Sequence, residues 1–463
     1  MQYQNKRVPA VLAAVLMALT TVVPTAARGQ AEPEQAQPDL VIVNMADTHS
    51  AYDAYPAVLA GVQELAQQYE AVELVFLFNG DLFELGNASA AKSAGEADWV
   101  FFERLAELGS VVINVGNHEF DFMSPQAFVD AAQAVGARVI GTVTTVEDAS
   151  LVPASTDLVV DQQRIRIVGV GTDQMNTYPA AIRESLVIPE PVAWVRANWQ
   201  PVSAGADYTI LASHAGLVSD LAMIDAIDRD AAPLYVVGGH NHIVLRDAIR
   251  GIDYMHNGFR GEQFNVTELV FTEEGVEAIY RDVITAEIGA VDTAMAAVIE
   301  RVREQHLDAD DLAVVGTVPR DMTVTEAALW AVETLRAATD ADLALLNHTT
   351  FGSGLLAGSL ARYRFDQFAR FDNDIMRATV DAQTLRTILA GANQHRSDDV
   401  RSRTGDFLYT GPIEVIDGRS YDIVTSNWVA FDFNQARYLG TTVDFEQVPG
   451  ITFKQLLVDE LNR

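Results

Sequence analysis

Along residues 40–240, short and mostly apolar runs alternate with longer stretches in which apolar positions recur every three or four residues. The short runs are Leu40–Met45, Leu74–Phe78, Val111–Val115, Tyr208–Ala212 and Leu234–Val237, and their near-continuous hydrophobicity predicts buried strands. Arg164–Val170 reads as a further strand. Ala57–Gln68 and Trp99–Leu108 carry the helical period. Such alternation predicts an α/β layered domain. After residue 243 the pattern changes. Phe264–Phe271 and Val276–Val283 flank Glu273-Glu274-Gly275 and read as a hairpin. Asp292–Gln305 is helical and resembles an interdomain connection, with a boundary expected at the acidic segment His306–Leu312. Beyond it, Thr323-x-x-Glu326 is a capping-box pattern opening an apolar-periodic helix up to Ala338. The remainder mixes α and β patterns, with neither an internal repeat nor a heptad.

Composition narrows the classes. A chain of 463 residues, 49% of them apolar, supports a large core and two or three domains. Acidic residues outnumber basic ones 64 to 31, and the formal charge of −33 disfavours binding to nucleic acid or anionic lipid. With no cysteine, disulfides, thiolate metal sites and cysteine nucleophiles are excluded. Residues 1–31 read as a secretory signal peptide: Lys6 and Arg7 precede the apolar run Val8–Val23, and small residues follow at Thr25–Ala27 and Ala31. That run is short for a bilayer span of roughly 20 residues, the alternative being an uncleaved anchor. Residues 32–39 read as a flexible leader. Export without cysteine suits a bacterial periplasmic or secreted location.

Each of the five apolar runs leads directly into residues of metal-ligand type. Asp47-Thr48-His49 follows the first, Asn79-Gly80-Asp81 the second, and Gly116-Asn117-His118-Glu119-Phe120-Asp121 the third. Ser213-His214 follows the fourth, and Gly238-Gly239-His240-Asn241-His242 the fifth. In open α/β sheets, sites form at the carboxyl ends of strands. Their convergence would gather five of the chain's nine histidines in one crevice. Imidazole with carboxylate suits zinc, manganese, iron or cobalt, whereas calcium prefers oxygen alone.

The order Asp-x-His, Gly-Asp, Gly-Asn-His-Glu, His and Gly-His-x-His resembles the calcineurin-like metallophosphoesterases. With Gly-Asn-His-Glu-Phe-Asp, the export signal and a further 150 or so residues, the chain resembles the bacterial periplasmic 5′-nucleotidases. The resemblance implies a four-layered α/β/β/α catalytic domain (residues 40–290), a connecting helix and linker (291–312) and a smaller α/β substrate domain (313–463). It implies two divalent ions: Asp47, His49, Asp81 and His242 on one, and Asp81, Asn117, His214 and His240 on the other. His118, oriented by Asp121, would contact the phosphate and assist the leaving group, and metal-bound hydroxide would attack phosphorus in line.

In the second domain, Phe371 and Trp428 match the family's aromatic clamp around a nucleobase, and Asn373 its base contact. Two stretches depart from the family. Residues 347–354 (Asn-His-Thr-Thr-Phe-Gly-Ser-Gly) lack the phosphate-binding arginine of the family's glycine run, and Phe431-Asp432-Phe433-Asn434 replaces a Gly-Gly-Asp segment. Arg320, Arg362, Arg364 and Arg370 are candidates to replace that arginine. The expected function is hydrolysis of nucleotides or related phosphate esters by a monomer. The alternatives are 2′,3′-cyclic nucleotides, nucleotide sugars or a sulfur-linked substrate at the same site, or a non-catalytic exported binding protein. Asn87-Ala88-Ser89, Asn265-Val266-Thr267 and Asn347-His348-Thr349 fit the glycosylation pattern and read as chance matches.

Overall fold

The computed structural model describes residues 37–147, 151–273, 275–285 and 291–463. The expected signal peptide and most of the leader lie outside these. Residues 38–463 form one compact unit.

The apolar runs become strands because each is flanked on both faces by other layers. In chain order the strands of the first part are β1 (Leu40–Met45), β2 (Glu73–Asn79), β3 (Ser110–Asn114), β4 (Arg138–Ile140), β5 (Ser155–Val160), β6 (Gln163–Gly171), β7 (Tyr208–His214), β8 (Tyr235–Gly238), β9 (Val244–Ile249), β10 (Ile252–Asn257), β11 (Gln263–Thr272) and β12 (Gly275–Thr285). They build two six-stranded sheets, in the orders β12-β11-β1-β2-β3-β4 and β9-β10-β8-β7-β6-β5. Strands β1 to β4 run parallel, as do β6, β7, β8 and β10. The carboxyl ends of the parallel strands in each sheet therefore share an edge.

Alternate residues of each strand serve different cores, as the two-residue period requires. Leu40, Ile42, Val75, Leu77 and Val112 of the first sheet meet Ile165, Ile167, Ile210, Ala212 and Val237 of the second between the sheets. Val41, Val43, Phe76, Phe78 and Ile113 point outward against helices α1 (Tyr55–Gln68), α2 (Glu96–Ala106) and α3 (Pro125–Ala134). On the far side, Val168, Val170, Leu211 and Val236 pack against α4 (Pro191–Ser203) and α5 (Leu217–Ala226). The layers are α/β/β/α. The helix expected as a connection, α6 (Thr293–His306), starts at an Asp292 cap and buries Met295, Ile299 and Val302 in the core beneath α1 and α2. It is therefore also part of the outer helical layer.

The last 150 residues supply α7 (Val324–Ala338), opened by the complete Thr323–Glu326 capping box, and a five-stranded sheet. Its strands are β13 (Leu343–Asn347), β14 (Asp374–Asp381), β15 (Leu408–Thr410), β16 (Ser420–Ser426) and β17 (Glu446–Thr452), in the order β15-β13-β16-β14-β17. Ala344, Leu346 and Val424 pack on α7, and Leu343, Leu345 and Ile423 on the opposite face. Asn87, Asn265 and Asn347 are all buried, at 0%, 2% and 2% exposure, which agrees with the reading of those triplets as chance matches.

Candidate metal centre

The chain turns sharply where the parallel strands end. Asp47, His49, Asp81, His240 and His242 all take positive φ, between 48° and 77°. For residues other than glycine this left-handed region costs about 1 kcal/mol or more, and it concentrates at functional sites. The backbone around them is tightly held. The amide of Asp47 donates to the Gly80 carbonyl at 2.9 Å, that of His49 to the Asp81 carbonyl at 3.0 Å, and that of Arg260 to the Asp47 carbonyl at 2.7 Å. The glycines at these turns are required by crowding. A Cβ on Gly80 would lie 2.4 Å from Nδ1 of His214, and one on Gly116 would lie 2.6 Å from Oδ1 of Asp81.

These turns bring the expected ligands together. One ligand atom each from Asp47, His49, Asp81 and His242 lies within 4.8 Å of all the others, and the same holds for Asp81, His214 and His240. Asp81 belongs to both groups. Asn117 joins the second through its Oδ1, 2.9 Å from Nδ1 of His240. The first sheet contributes Asp47, His49, Asp81 and Asn117, and the second His214, His240 and His242.

The donor atoms fit cations. Nδ1 of His49 donates to the Phe83 carbonyl at 3.1 Å and Nδ1 of His214 to the Asn79 carbonyl at 2.7 Å, so the neutral form of each ring has a bare lone pair at Nε2. That of His49 lies 2.8 Å from Nε2 of His242, and that of His214 lies 3.2 Å from a carboxylate oxygen of Asp81 and has no hydrogen-bond partner. Lone pairs and carboxylates facing one another in a buried space repel unless a cation lies between them. The charges show the same demand. Burial pushes Asp47 up to about 8. Burial also opposes charge on His214, yet Asp81 and Asp47 push it up to about 10. Burial likewise opposes charge on Asp81, but His214, His118 and His49 hold its carboxyl well below the usual range.

His118 stands beside these groups. Its Nδ1 donates to Asp121 Oδ2 at 2.8 Å, which fixes the ring and directs Nε2 away from the carboxylate. Its ring lies 5.1 Å from that of His49. Burial opposes a charge on His118, but Asp121 and Asp81 push it up to about 9. Glu119, in the same motif, has a different task. It accepts the amides of Leu82 and Gly116 at 3.0 and 2.8 Å and ties two of the turns together.

A cavity of about 220 Å³ opens over this cluster. Asp81, Asn117, His118, His240 and His242 line it, together with the expected Phe371, Asn373 and Trp428. Among the arginines considered in place of the family's, Arg370 lines the cavity. Arg320 instead pairs with exposed Glu326, and Arg364 with Asp53. Arg370 is buried, 2.5 Å from Glu84, and its guanidinium lies 5.2 Å from the ring centre of Phe371, a residue 42% exposed. Two residues absent from the sequence reading matter here. Arg437, held by Asp406 and 2.7 Å from Gln174, lines the cavity, and Glu84 anchors Arg370. Neither lies in a motif, and each owes its place to tertiary packing.

The calcineurin-like phosphoesterase family model matches residues 40–244. No curated protein sequence matches the chain. Among solved structures, a 5′-nucleotidase precursor from Thermus thermophilus is 16% identical, with a TM-score of 0.60 over 91% of this chain and 96% of that one. A 5′-nucleotidase from Candida albicans is 12% identical, with a TM-score of 0.61 over 92% and 99%. The sulfate thiohydrolase SoxB, also from Thermus thermophilus, is 12% identical, with a TM-score of 0.67 over 93% and 95%. At these identities the likeness is one of fold, and it runs through both parts of the chain. Residues 40–244 are thus similar to the calcineurin-like phosphoesterase domain, and that likeness, with the shared fold, supports a metal-dependent phosphoester hydrolase.

Proposed function

We propose that the protein is an exported phosphoesterase that uses two divalent ions to hydrolyse nucleotides or closely related organic phosphates. The observation that carries this reading is a single cavity lined by members of both ligand clusters, by His118, which Asp121 holds, and by two arginines and two aromatic residues. Asp47, His49, Asp81 and His242 would hold one ion, and Asp81, Asn117, His214 and His240 the other. Bound there, divalent ions supply Lewis acidity toward phosphoryl oxygens and lower the pKa of water.

The protein's own groups do the rest. Arg370 and Arg437 place guanidinium donors toward the anionic part of the substrate, replacing the arginine missing from residues 347–354. Phe371 and Trp428 offer ring faces to a planar base, and Asn373 an amide for its edge. His118, whose charged form is favoured by its bond to Asp121, can hold a proton at Nε2 for the departing oxygen. Asp121 keeps the ring in the tautomer and orientation that this needs. Export rests on the signal-like residues 1–31. Among the described residues, no helix is long and apolar enough to cross a membrane.

The same centre with a sulfur-linked substrate is the second reading. It is favoured by the altered stretch 347–354 together with the shared fold of the sulfate thiohydrolase. The test is a panel of 5′-nucleotides, cyclic nucleotides, nucleotide sugars, simple phosphate esters and an S-sulfonate, assayed after chelation and after return of Mn²⁺, Zn²⁺ or Co²⁺. Nucleotide turnover that chelation abolishes and metal restores is expected. Turnover of the sulfur-linked compound alone would replace the first reading with the second, and turnover indifferent to metal would overturn both.

A further inference from the structure

Asn241 sits between His240 and His242, which belong to different ligand clusters. Both histidines take the left-handed conformation, at φ +77° and +55°, so this three-residue turn needs outside restraint to hold its shape. Part of that restraint comes from its own half of the chain. The His240 amide donates to Asp47 at 3.0 Å, and the Asn241 side-chain oxygen accepts the Leu217 amide at 2.6 Å. The remainder comes from residues more than 100 positions later. Nε2 of His348 lies 2.7 Å from the Asn241 carbonyl oxygen, and Gly405 packs so closely that a Cβ there would lie 2.4 Å from Asn241 Oδ1.

The His348 bond has a defined polarity. A carbonyl only accepts, so Nε2 carries the proton and donates. The ring is buried, and its Nδ1 lies against the Phe407 backbone, 3.3 Å from the amide nitrogen and 3.2 Å from the carbonyl oxygen. The imidazole is also stacked on the Phe407 ring, with centroids 4.2 Å apart and planes 15° apart, and His395 packs on that phenylalanine at 4.3 Å. The donor is thus held in place before it meets the turn. His348 lies in the stretch 347–354, where the resembled family's arginine is missing.

We propose that His348 is a positioning residue for the metal centre, which fixes the His240-Asn241-His242 turn so that its two imidazoles address two different ions. The inference rests on the two-ion reading above. Because the turn feeds both clusters, loss of the bond weakens both ions together, whereas loss of a single ligand would weaken one first.

The experiment is a cobalt(II) titration of the metal-free full-length protein. It reads affinity by chelator competition and ligand geometry by d–d absorption, with thermal unfolding of the metal-free protein in parallel. His348→Phe keeps the ring and its stacking but removes the donor. His348→Gln puts an amide N–H near the place of Nε2, and His348→Asn falls one methylene short. We expect about tenfold or greater loss of affinity at both sites and an altered spectrum for His348→Phe and His348→Asn, with recovery in His348→Gln. If His348→Phe does not fold, the Gln and Asn variants make the same comparison. Wild-type affinity and spectrum in His348→Phe or His348→Asn, or no advantage of Gln over Asn, would overturn the role of His348. A wild-type protein that binds no cobalt would overturn the two-ion reading itself.

Discussion

At the scale of single residues, the pair Glu84–Arg370 allows stability to be separated from the proposed substrate contact. Burial opposes charge on Glu84, but Arg370, His49 and His118 hold its carboxyl down at about 2. Arg370→Ala leaves that carboxylate buried without its partner, a change expected to cost about 3 kcal/mol. Urea unfolding of the double variant Glu84→Gln/Arg370→Ala should recover much of this loss, while its KM for an anionic substrate should remain high. Equal recovery of both would show that Arg370 faces Glu84 alone. His118→Ala should lower kcat about 100-fold or more while metal content stays that of the wild type, because in the proposed mechanism its ring would assist the leaving group without holding an ion. Retained turnover would remove His118 from the chemistry. The reach of sequence reading at this scale follows from the same residues. Asp47, His49, Asp81 and His240 are legible because each follows an apolar run and brings a ligand atom with it. Glu84 and Arg437 carry no such mark, since a glutamate in a turn or an arginine on an exposed-looking helix is ordinary until folding turns it inward.

At the scale of elements, the strands were legible wherever burial on both faces made them continuously apolar, as in Phe76 and Leu77 of β2. The edge strands, and the last 150 residues with their shorter runs, gave less. Strand β17 contains Pro449 and Gly450 and is half exposed, so no hydrophobic period marks it. The role of α6 was also hidden, because a helix that connects and a helix that packs have the same periodicity. One element carries a pH signature. Asp98 of α2 is fully buried and accepts from Ser50, Tyr52 and Tyr55 at 3.3, 2.9 and 2.7 Å. Burial outweighs those bonds and pushes its pKa up to about 7. The folded state therefore holds a proton that the unfolded chain releases near pH 4. Stability from this group is full below pH 4 and is lost as pH rises to 7, by roughly 4 kcal/mol at about 1.4 kcal/mol per unit. Unfolding midpoints of wild type and Asp98→Asn, compared at equal metal, should show the wild type losing ground across that window. Parallel pH profiles would show that Asp98 stays charged in the fold.

At the scale of the whole molecule, the charge of −33 sets the long-range field, while the cavity offers arginines and metal ligands at short range. An anionic substrate is thus repelled at a distance and attracted on arrival. Salt screens exposed charges beyond a Debye length of about 10 Å at 0.1 M and buried pairs much less. We therefore expect kcat/KM for a nucleotide to rise between about 20 and 150 mM salt, through faster association. A fall would mean that the positive cavity dominates the approach.

The division of the ligands between two sheets has a mechanical meaning. Asp47 to Asn117 stand on one layer of the sandwich and His214 to His242 on the other, and the core between those layers is apolar and non-directional. Ions shared across that gap would act as rivets, closing loops of more than a hundred residues in a chain that has no cysteine for a covalent staple. The open edge of the sandwich, the part otherwise freest to splay, would then be the part most firmly clasped. The chemistry and the clasp would be lost together when metal is withdrawn.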